Sequence, residues 1–586
     1  MPSVADAQDA TPAPDSAIVV QGLRDKPSNW RQAETDHVVV ISDGSEKDLA
    51  RIAHNLERLH FLLSVLLNRV DRPDQTLKLR VTLVGDGAEF DAMDLRNLRY
   101  SPGPYARAFP VPAYYDPRED GAVFAASRFD QKAMLEPGQS LANILPDLVR
   151  ATTPAADPGA GAPGENPGTA AALSASYAGS LARFGRDDPM ALSVNELTVP
   201  LSAEGRIYAG YARHFLVTYF PHAYPRWYVD GFGEIFATLA IEGDTKIEYG
   251  RAPEGYRKIL DKYARTPIAD VLTGRTLRDR KAGERWTPFH AWALTHMLFF
   301  SNERKGQLHA YLATIAAGGS MEQAAAAFGD LARLQSELTA YDRGKMPYEQ
   351  MSYPADRAGE PIVRRLSEGE AAFVKGRLEL GARIAVPPAS DGAKLEKLRR
   401  EAIARRDTWL KDLRRDAARY PANLDAQLLL AEAECRIGNG DACAAAASRA
   451  LAIAPGNSDA LAWQGSAQIA VALAAPAGQR IAKLKAARAT IARANRANSE
   501  SPLPLLTYYR SFADAGEPVP DVAIEGLMKA RDLVPAAPAP KLMLGEALAG
   551  RGSAEAARQA LIPVANGAYD SPEAAEARLV IAALPR

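Results

Sequence analysis

The side chains able to do chemistry concentrate in two neighbouring segments, Ile207–Leu216 (IYAGYARHFL) and Tyr224–Glu234 (YPRWYVDGFGE). Arg213, His214, Asp230 and Glu234 are the reactive groups there, with Tyr211, Trp227 and Tyr228 beside them as candidate lining of a cleft. Hydrolytic metal chemistry needs two imidazoles one helical turn apart, a ligand from a neighbouring element, and a carboxylate that takes a proton from water. No histidine pair has that spacing. His54 and His60 are six apart, as are His290 and His296; His214 and His222 are eight apart with Pro221 between, and His309 stands alone. Each reads as a core or surface histidine, His54 and His60 at the surface or its boundary. There is also no G-x-S-x-G, no Walker loop and no G-x-G-x-x-G between a strand and a helix. Gly159–Gly168 is glycine-rich but also proline-rich and lacks a lysine, so it reads as linker.

The two segments together resemble the gluzincin-type site of the peptidase-MA-like group. Such a site carries H-E-x-x-H on one helix and typically W-x-x-E-G-x-A-E on the next. The second pattern is matched by Trp227-Tyr-Val-Asp230-Gly-Phe-Gly-Glu234, whereas the first reads Ala209-Gly210-Tyr211-Ala212-Arg213. The resemblance implies a zinc peptidase, and the residues contradict it. Ala209 stands at the first histidine and cannot ligate. Gly210 stands at the general base and cannot activate water. Arg213 puts a permanent cation at the second histidine. Asp230 takes the third-ligand position with one methylene less than glutamate, and Glu234 the trailing glutamate. No catalytic residue, metal or cofactor is expected. If the helices keep their packing, Arg213 and Asp230 converge as an ion pair where the metal would sit. The alternative is a solvent-facing Arg213 with the alignment shifted by one.

Several elements would position these groups. Asp36–Ser42 reads as a strand, and Ser45 can cap the helix after it. Leu49, Ile52, Leu56, Leu59, Leu63 and Leu66 recur at three- and four-residue steps on one face of that helix. Leu77, Leu79, Val81 and Leu83 alternate with Lys78, Arg80 and Thr82, the pattern of a half-buried strand. Two more strands flank Glu119-Asp120-Gly121. Helices are expected over Arg206–Phe220, Arg226–Ile241 and Pro288–Phe300, with a capping box restarting the chain at Ser320-x-x-Gln323. The aromatics Tyr219, Phe220, Tyr224, Trp227, Tyr228, Phe232 and Phe236 read as core or as the wall of a retained cleft. The expected unit is an α+β zincin-like domain over residues 30–350, preceded by a disordered tail (1–29) and interrupted by a flexible insertion at 152–169. A connecting helix, Glu368–Arg383, and a linker are expected over 351–392.

Beyond Gly392 a repeat emerges. Pro421, Asn423, Asp425 and Ala426 recur 34 residues later as Pro455, Asn457, Asp459 and Ala460, and Pro538 and Pro572 are also 34 apart. That period resembles tetratricopeptide repeats, an all-α solenoid of helical hairpins over 393–586 with a groove for a protein or peptide partner. Trp463, Tyr508 and Tyr509 are candidate groove contacts, and one unit is enlarged between Ala475 and Pro504. Cys435 and Cys443 flank a turn between two helices. They read either as a disulfide worth about 2.5 kcal/mol or as two buried thiols.

Composition narrows the function. Lys and Arg total 70 against 71 Asp and Glu, a net charge of −1, so no global field recruits nucleic acid. No run reaches the ~18 to 20 apolar residues of a membrane span. Ala5-x-Ala7 is similar to the end of a signal peptide, so the chain is expected to be periplasmic or otherwise exported. The alternative is a cytoplasmic protein with a disordered tail. The expected function is a non-catalytic interaction scaffold joining an inactive peptidase-like domain to the repeats. The alternative is a metallopeptidase or other hydrolase with a non-standard site in the retained cleft. The oligomeric state is left open.

Overall fold

The computed structural model describes residues 26–70, 76–95, 113–134, 198–253, 256, 260, 266–279, 282, 288–354, 359–387, 389 and 392–585, except for single positions within these ranges. The insertion expected at 152–169 and the first 25 residues of the expected tail lie outside them. Helices of ten residues or more are numbered here in chain order.

Strands β1 (Pro27–Glu34), β2 (Val38–Ser42), β3 (Leu79–Val84), β4 (Ala113–Arg118) and β5 (Gly121–Ser127) form a six-stranded mixed sheet with a distant strand, β11 (Ile362–Ser367). Its order is β11-β1-β2-β3-β5-β4. β2, β3 and β5 run parallel, and the flanking strands antiparallel. Helix α1 (Glu46–Leu66) makes the crossover from β2 to β3, and Ser45 caps it by accepting from Asp48 N. The face carrying Val38, Val40, Leu79, Val81 and Phe124 packs on Leu49, Leu56, Leu59 and Leu63 of α1, so the two periodicities meet in one core. Strands β6 (Gln131–Met134) and β7 (Thr198–Leu201) make a separate ribbon.

Helix α2 (Ala203–Tyr219) lies on the same face, capped by Ser202, and is followed by α3 (Arg226–Ile235). The expected helix to Ile241 ends six residues early. Beyond it Ala240–Glu242 (β8) turns at Gly243, whose φ is +61°, and pairs with β9 (Lys246–Tyr249), which in turn pairs with β10 (Glu349–Ser352). Helices α4 (Pro288–Phe300), α5 (Lys305–Ala316) and α6 (Leu331–Arg343) complete this side, with the Ser320–Gln323 capping box between α5 and α6.

Two expected boundaries move. β1 begins at Pro27, inside the expected tail. β11 falls in the expected connector and pairs with β1, with Arg31 opposite Arg365 and Glu34 opposite Ile362. The α/β unit therefore closes its sheet after residue 350. Helix α7 (Glu368–Ile384) then packs on the second face, where Leu378 meets Tyr114, Val123 and Ala125.

Helix α8 (Ala393–Arg419) leads into antiparallel pairs: α9 (Leu424–Arg436) with α10 (Gly440–Ile453), α11 (Ser458–Leu473) with α12 (Ala477–Ala497), α13 (Pro502–Ala513) with α14 (Asp521–Leu533), and α15 (Pro538–Gly550) with α16 (Ala554–Ala565), before the last helix α17 (Pro572–Ala583). This is an array of helical-hairpin repeats, and no strand follows Ser367 among the described residues. The repeated asparagines explain part of the period, since Asn423 and Asn457 cap α9 and α11 through Ala426 N and Ala460 N. Pro538 and Pro572 open α15 and α17, where a missing N–H costs nothing. The enlarged unit is α12, 21 residues long. No helix among the described residues is long and apolar enough to cross a membrane.

Candidate functional site

Glycines set how closely the helices of the site approach. A Cβ on Gly210 would lie 2.3 Å from the Phe124 ring of β5, and one on Gly231 would lie 2.3 Å from the Ala291 carbonyl oxygen of α4. So α2 rests directly on the sheet and α3 directly on α4. Phe124 fills the space that any side chain at Gly210 would need. Gly233 leaves room for Arg213, whose Nε would be 2.6 Å from an added Cβ.

Arg213 crosses from α2 to α3. Its Nη2 donates to Glu234 Oε1 at 2.5 Å, while its Nε stands 3.9 Å from Asp230 Oδ1. Asp230 takes its closer bond from Arg226 Nε at 3.2 Å, one turn back on α3. Tyr256 Oη donates to the other oxygen of Glu234 at 2.9 Å. Arg213 therefore does converge with Asp230, but its principal partner is Glu234, one turn further along. The longer glutamate reaches the guanidinium, and the shorter aspartate is held back by Arg226. Burial opposes the charge on Arg213, and Glu234 and then Asp230 overcome it, holding its pKa above the ordinary arginine value. Ala209 is buried beside them.

The residues expected to line a cleft belong to the core. Tyr211 is 1% exposed and hydrogen-bonded through Oη to His60 Nδ1 at 2.8 Å. His60, expected near the surface, is equally buried and stacks on His37 with 3.5 Å between ring centroids. His214 meets Tyr115 Oη of β4 at 3.0 Å. Burial, and secondarily the nearby His60, depress its pKa to about 3, so it is neutral near pH 7. Trp227 Nε1 donates to Tyr311 Oη at 3.3 Å, and Tyr228 packs in the same core. The physical reason is the fit of α2 and α3 to their neighbours, which leaves these side chains nowhere to open. His290 and His296 are buried as well, whereas His309 is exposed.

What covers the site comes from the far end of the chain. Tyr569, in the turn between α16 and α17, packs on the α/β core, and the Arg226 guanidinium sits 5.4 Å from its ring centre. Burial first, and Asp230 next, raise the Tyr569 pKa to about 12. Between this turn and Tyr115, His222 and Tyr224 only about 70 Å³ of space is left, well under the roughly 300–1,000 Å³ of a ligand pocket.

The array is held against the domain by a second charge cluster, which sequence reasoning missed. The β4–β5 turn pushes Glu119 and Asp120 onto the inner helices. Glu119 accepts from Arg510 Nη2 of α13 at 2.6 Å and from Arg436 Nη1 of α9 at 3.0 Å. Asp120 accepts from Arg377 Nη2 of α7 at 2.7 Å. Arg118 anchors the strand below by bonding Asp116 and the carbonyls of Arg377 and Leu378. The groove expected to hold a partner is thus occupied here by the chain's own hairpin. Of the expected groove contacts, Trp463 is buried behind Arg436, Tyr509 is buried with its hydroxyl on the Met543 carbonyl, and Tyr508 packs near α12. The signal in the sequence is the pair of adjacent acids, Glu119 and Asp120, in the turn between two strands. Cys435 and Cys443 form a disulfide across the α9–α10 turn, with Cα atoms 5.0 Å apart.

No protein-family model matches this sequence. No curated protein matches it either. Among solved structures, a thermophilic TPR protein of Thermus thermophilus aligns over 31% of this chain and 92% of its own, at 21% identity and a TM-score of 0.27. The repeat architecture rests on the helix pairs themselves. None of these comparisons returns the peptidase-like resemblance of the N-terminal half.

Proposed function

We propose that this chain is a non-catalytic interaction scaffold in which a zincin-like domain has lost its metal site and serves as a rigid body clasped by the helical repeats. The observation that carries this reading is the Arg213 guanidinium, a permanent cation 3.9 Å from Asp230 at the third-ligand position and bonded to Glu234 one turn further on, which ties the two helices where the resemblance would have a metal do so. Phe124 filling the space at Gly210 and Tyr569 covering the seam support it further. A guanidinium neither ligates a dication nor takes a proton from water. Since the inner face of the repeats holds the β4–β5 turn, a protein partner would bind the outer surfaces of the array, with the clasp intact.

The test uses the full chain. It is incubated with zinc, freed of excess metal, and assayed for metal content and for cleavage of a mixed peptide library. Much less than one zinc per chain and no cleavage are expected, because a working site of this kind holds its metal tightly. About one zinc per chain, or cleavage lost on Glu234→Gln, would replace this reading with the hydrolase. Capture of a stoichiometric protein partner that survives Arg213→Ala completes the positive side.

We also infer export to an oxidising compartment, supported by the Cys435–Cys443 bridge. Both thiols should resist alkylation in chain isolated without reductant. Full labelling of both would overturn the inference.

A further inference from the structure

The second face of the sheet, α7 and the first repeats enclose a cavity of about 300 Å³. Arg80 of β3 lines its sheet wall. In the strand's alternation Leu79 and Val81 serve the α1 core, so Arg80 and Thr82 turn to the opposite face. Asp120, Glu432 and Arg377 also line the cavity, but they are committed to one another and to Arg436. Glu370 is likewise tied, to Arg364 and to the Ser367 N–H that it caps.

Three charged groups are left over. No hydrogen bond or ion pair reaches the Arg80 guanidinium from the described residues; desolvation, and then the nearby Arg377, lower its pKa to about 10, and Asp425 and Asp120, acting from beyond ion-pair distance, only partly offset this. Asp459, at the start of α11, accepts from the Ser501 hydroxyl at 3.2 Å, and burial raises its pKa although Arg377 lies near enough to lower it in part. Asp425 stands exposed at the start of α9. A desolvated guanidinium with five donors and no acceptor is costly unless an anion joins it. The carboxylates opposite would repel a simple anion, whereas they would welcome an ammonium group. The rest of the lining includes the apolar Ile41, Leu366, Leu429, Trp463 and Leu503.

We propose that this cavity binds a small zwitterion, a free amino acid or a dipeptide with both ends unblocked, its carboxylate on Arg80 and its ammonium on Asp459 and Asp425. The volume sits at the lower end of ligand pockets, and the apolar wall favours an aliphatic side chain. This inference is independent of the scaffold reading, since it uses neither Arg213 nor the outer surface of the repeats.

Thermal unfolding and calorimetry of the full chain would decide it, with leucine, Ala-Leu, N-acetyl-Ala-Leu, Ala-Leu-amide and inorganic phosphate as probes. Leucine or Ala-Leu should raise Tm by about 2–4 °C at saturation, and the blocked peptides and phosphate should not. Arg80→Met should raise Tm without ligand, because it removes an unpaired buried charge, and should weaken binding by about tenfold to a hundredfold. The double change Asp425→Asn with Asp459→Asn should abolish the preference for a free amine. Three results overturn the proposal: no response to leucine or Ala-Leu, an equal response to the acetylated peptide or phosphate, or an Arg80→Met chain that is destabilised or fails to fold. The last would mean that Arg80 has a structural partner after all.

Discussion

The ion pairs described around Arg213 stay within the α/β domain, whereas those around Glu119 and Asp120 join both halves of the chain. The first cluster joins two adjacent helices, α2 and α3, through Glu234 and Asp230. The second joins a hairpin turn to α9 and α13, which lie more than 300 residues further on. Both place guanidinium groups against carboxylates, but their burial differs. The Glu119 side chain is 7% exposed and holds two arginines, and the Asp116–Arg118 pair beneath it is buried as well. The Arg213 side chain is 21% exposed and its acids have second donors in Tyr256 and Arg226. A cluster with alternative donors loses less when one member goes. The comparison therefore predicts unequal costs.

Glu119→Ala should be the costliest single change, lowering stability by about 3 kcal/mol, since it leaves buried guanidinium groups short of their acceptor. Arg510 can swing to water and Arg436 keeps Glu432, which holds the loss near the bottom of the range for a broken buried pair. The change should also divide thermal unfolding into two transitions, because it loosens domain from repeats. A single unshifted transition would show that apolar contacts such as Tyr569 carry the clasp alone.

Arg213→Ala should cost less, about 2 kcal/mol, because Tyr256 still serves Glu234 and Arg226 still serves Asp230. Calorimetry should show one transition at lower temperature. Combining it with Glu119→Ala tests whether the clusters are separate. Additivity within about 0.5 kcal/mol is expected of sites with no shared partner. A larger coupling would mean that the Tyr569 turn transmits between them.

The legible part of this chain is local. The apolar steps of α1, the alternation of β3, the capping box at Ser320 and the 34-residue spacing of Asn423 and Asn457 each specify their own element, and the structure has those elements. The convergence of Arg213 with Asp230 was readable because it needs only two adjacent helices. Its preference for Glu234 was not, since that turns on Arg226 competing for Asp230. Long-range matters left no trace in the spacing. β11 looks like connector until it pairs with β1, and Glu119 looks solvated until Arg436 and Arg510 arrive. His60 stands off the regular apolar steps of α1 and reads as a surface or boundary residue, yet Tyr211 of α2 supplies its partner.

The smallest predicted effect separates the clusters by pH. His214 lies on the Arg213 side of the molecule, buried and neutral, with its pKa depressed from the ordinary 6.5 to about 3. The unfolded chain takes up this proton below about pH 6.5 and the folded chain does not, so stability falls as pH drops through that window. For one such histidine the loss between pH 7 and pH 5.5 is about 1.3 kcal/mol. His296, depressed to about 4 chiefly by burial, adds a similar slope. The Glu119 side works in the opposite sense of charge. There Asp120 is held charged: burial raises its pKa, but Arg377 and then Arg436 bring it below the ordinary aspartate value. A depressed carboxylate keeps its stabilising effect until the pH falls through that lower range. Between pH 7 and 5.5 the histidines should therefore account for most of the change. His214→Gln should lower stability at pH 7, by loss of the Tyr115 contact, yet flatten the decline towards pH 5.5 by about half. If the slope of the variant matches that of the parent, His214 is already protonated or solvated in the folded chain, and the tightly closed seam between α2, β4 and the Tyr569 turn is open in solution.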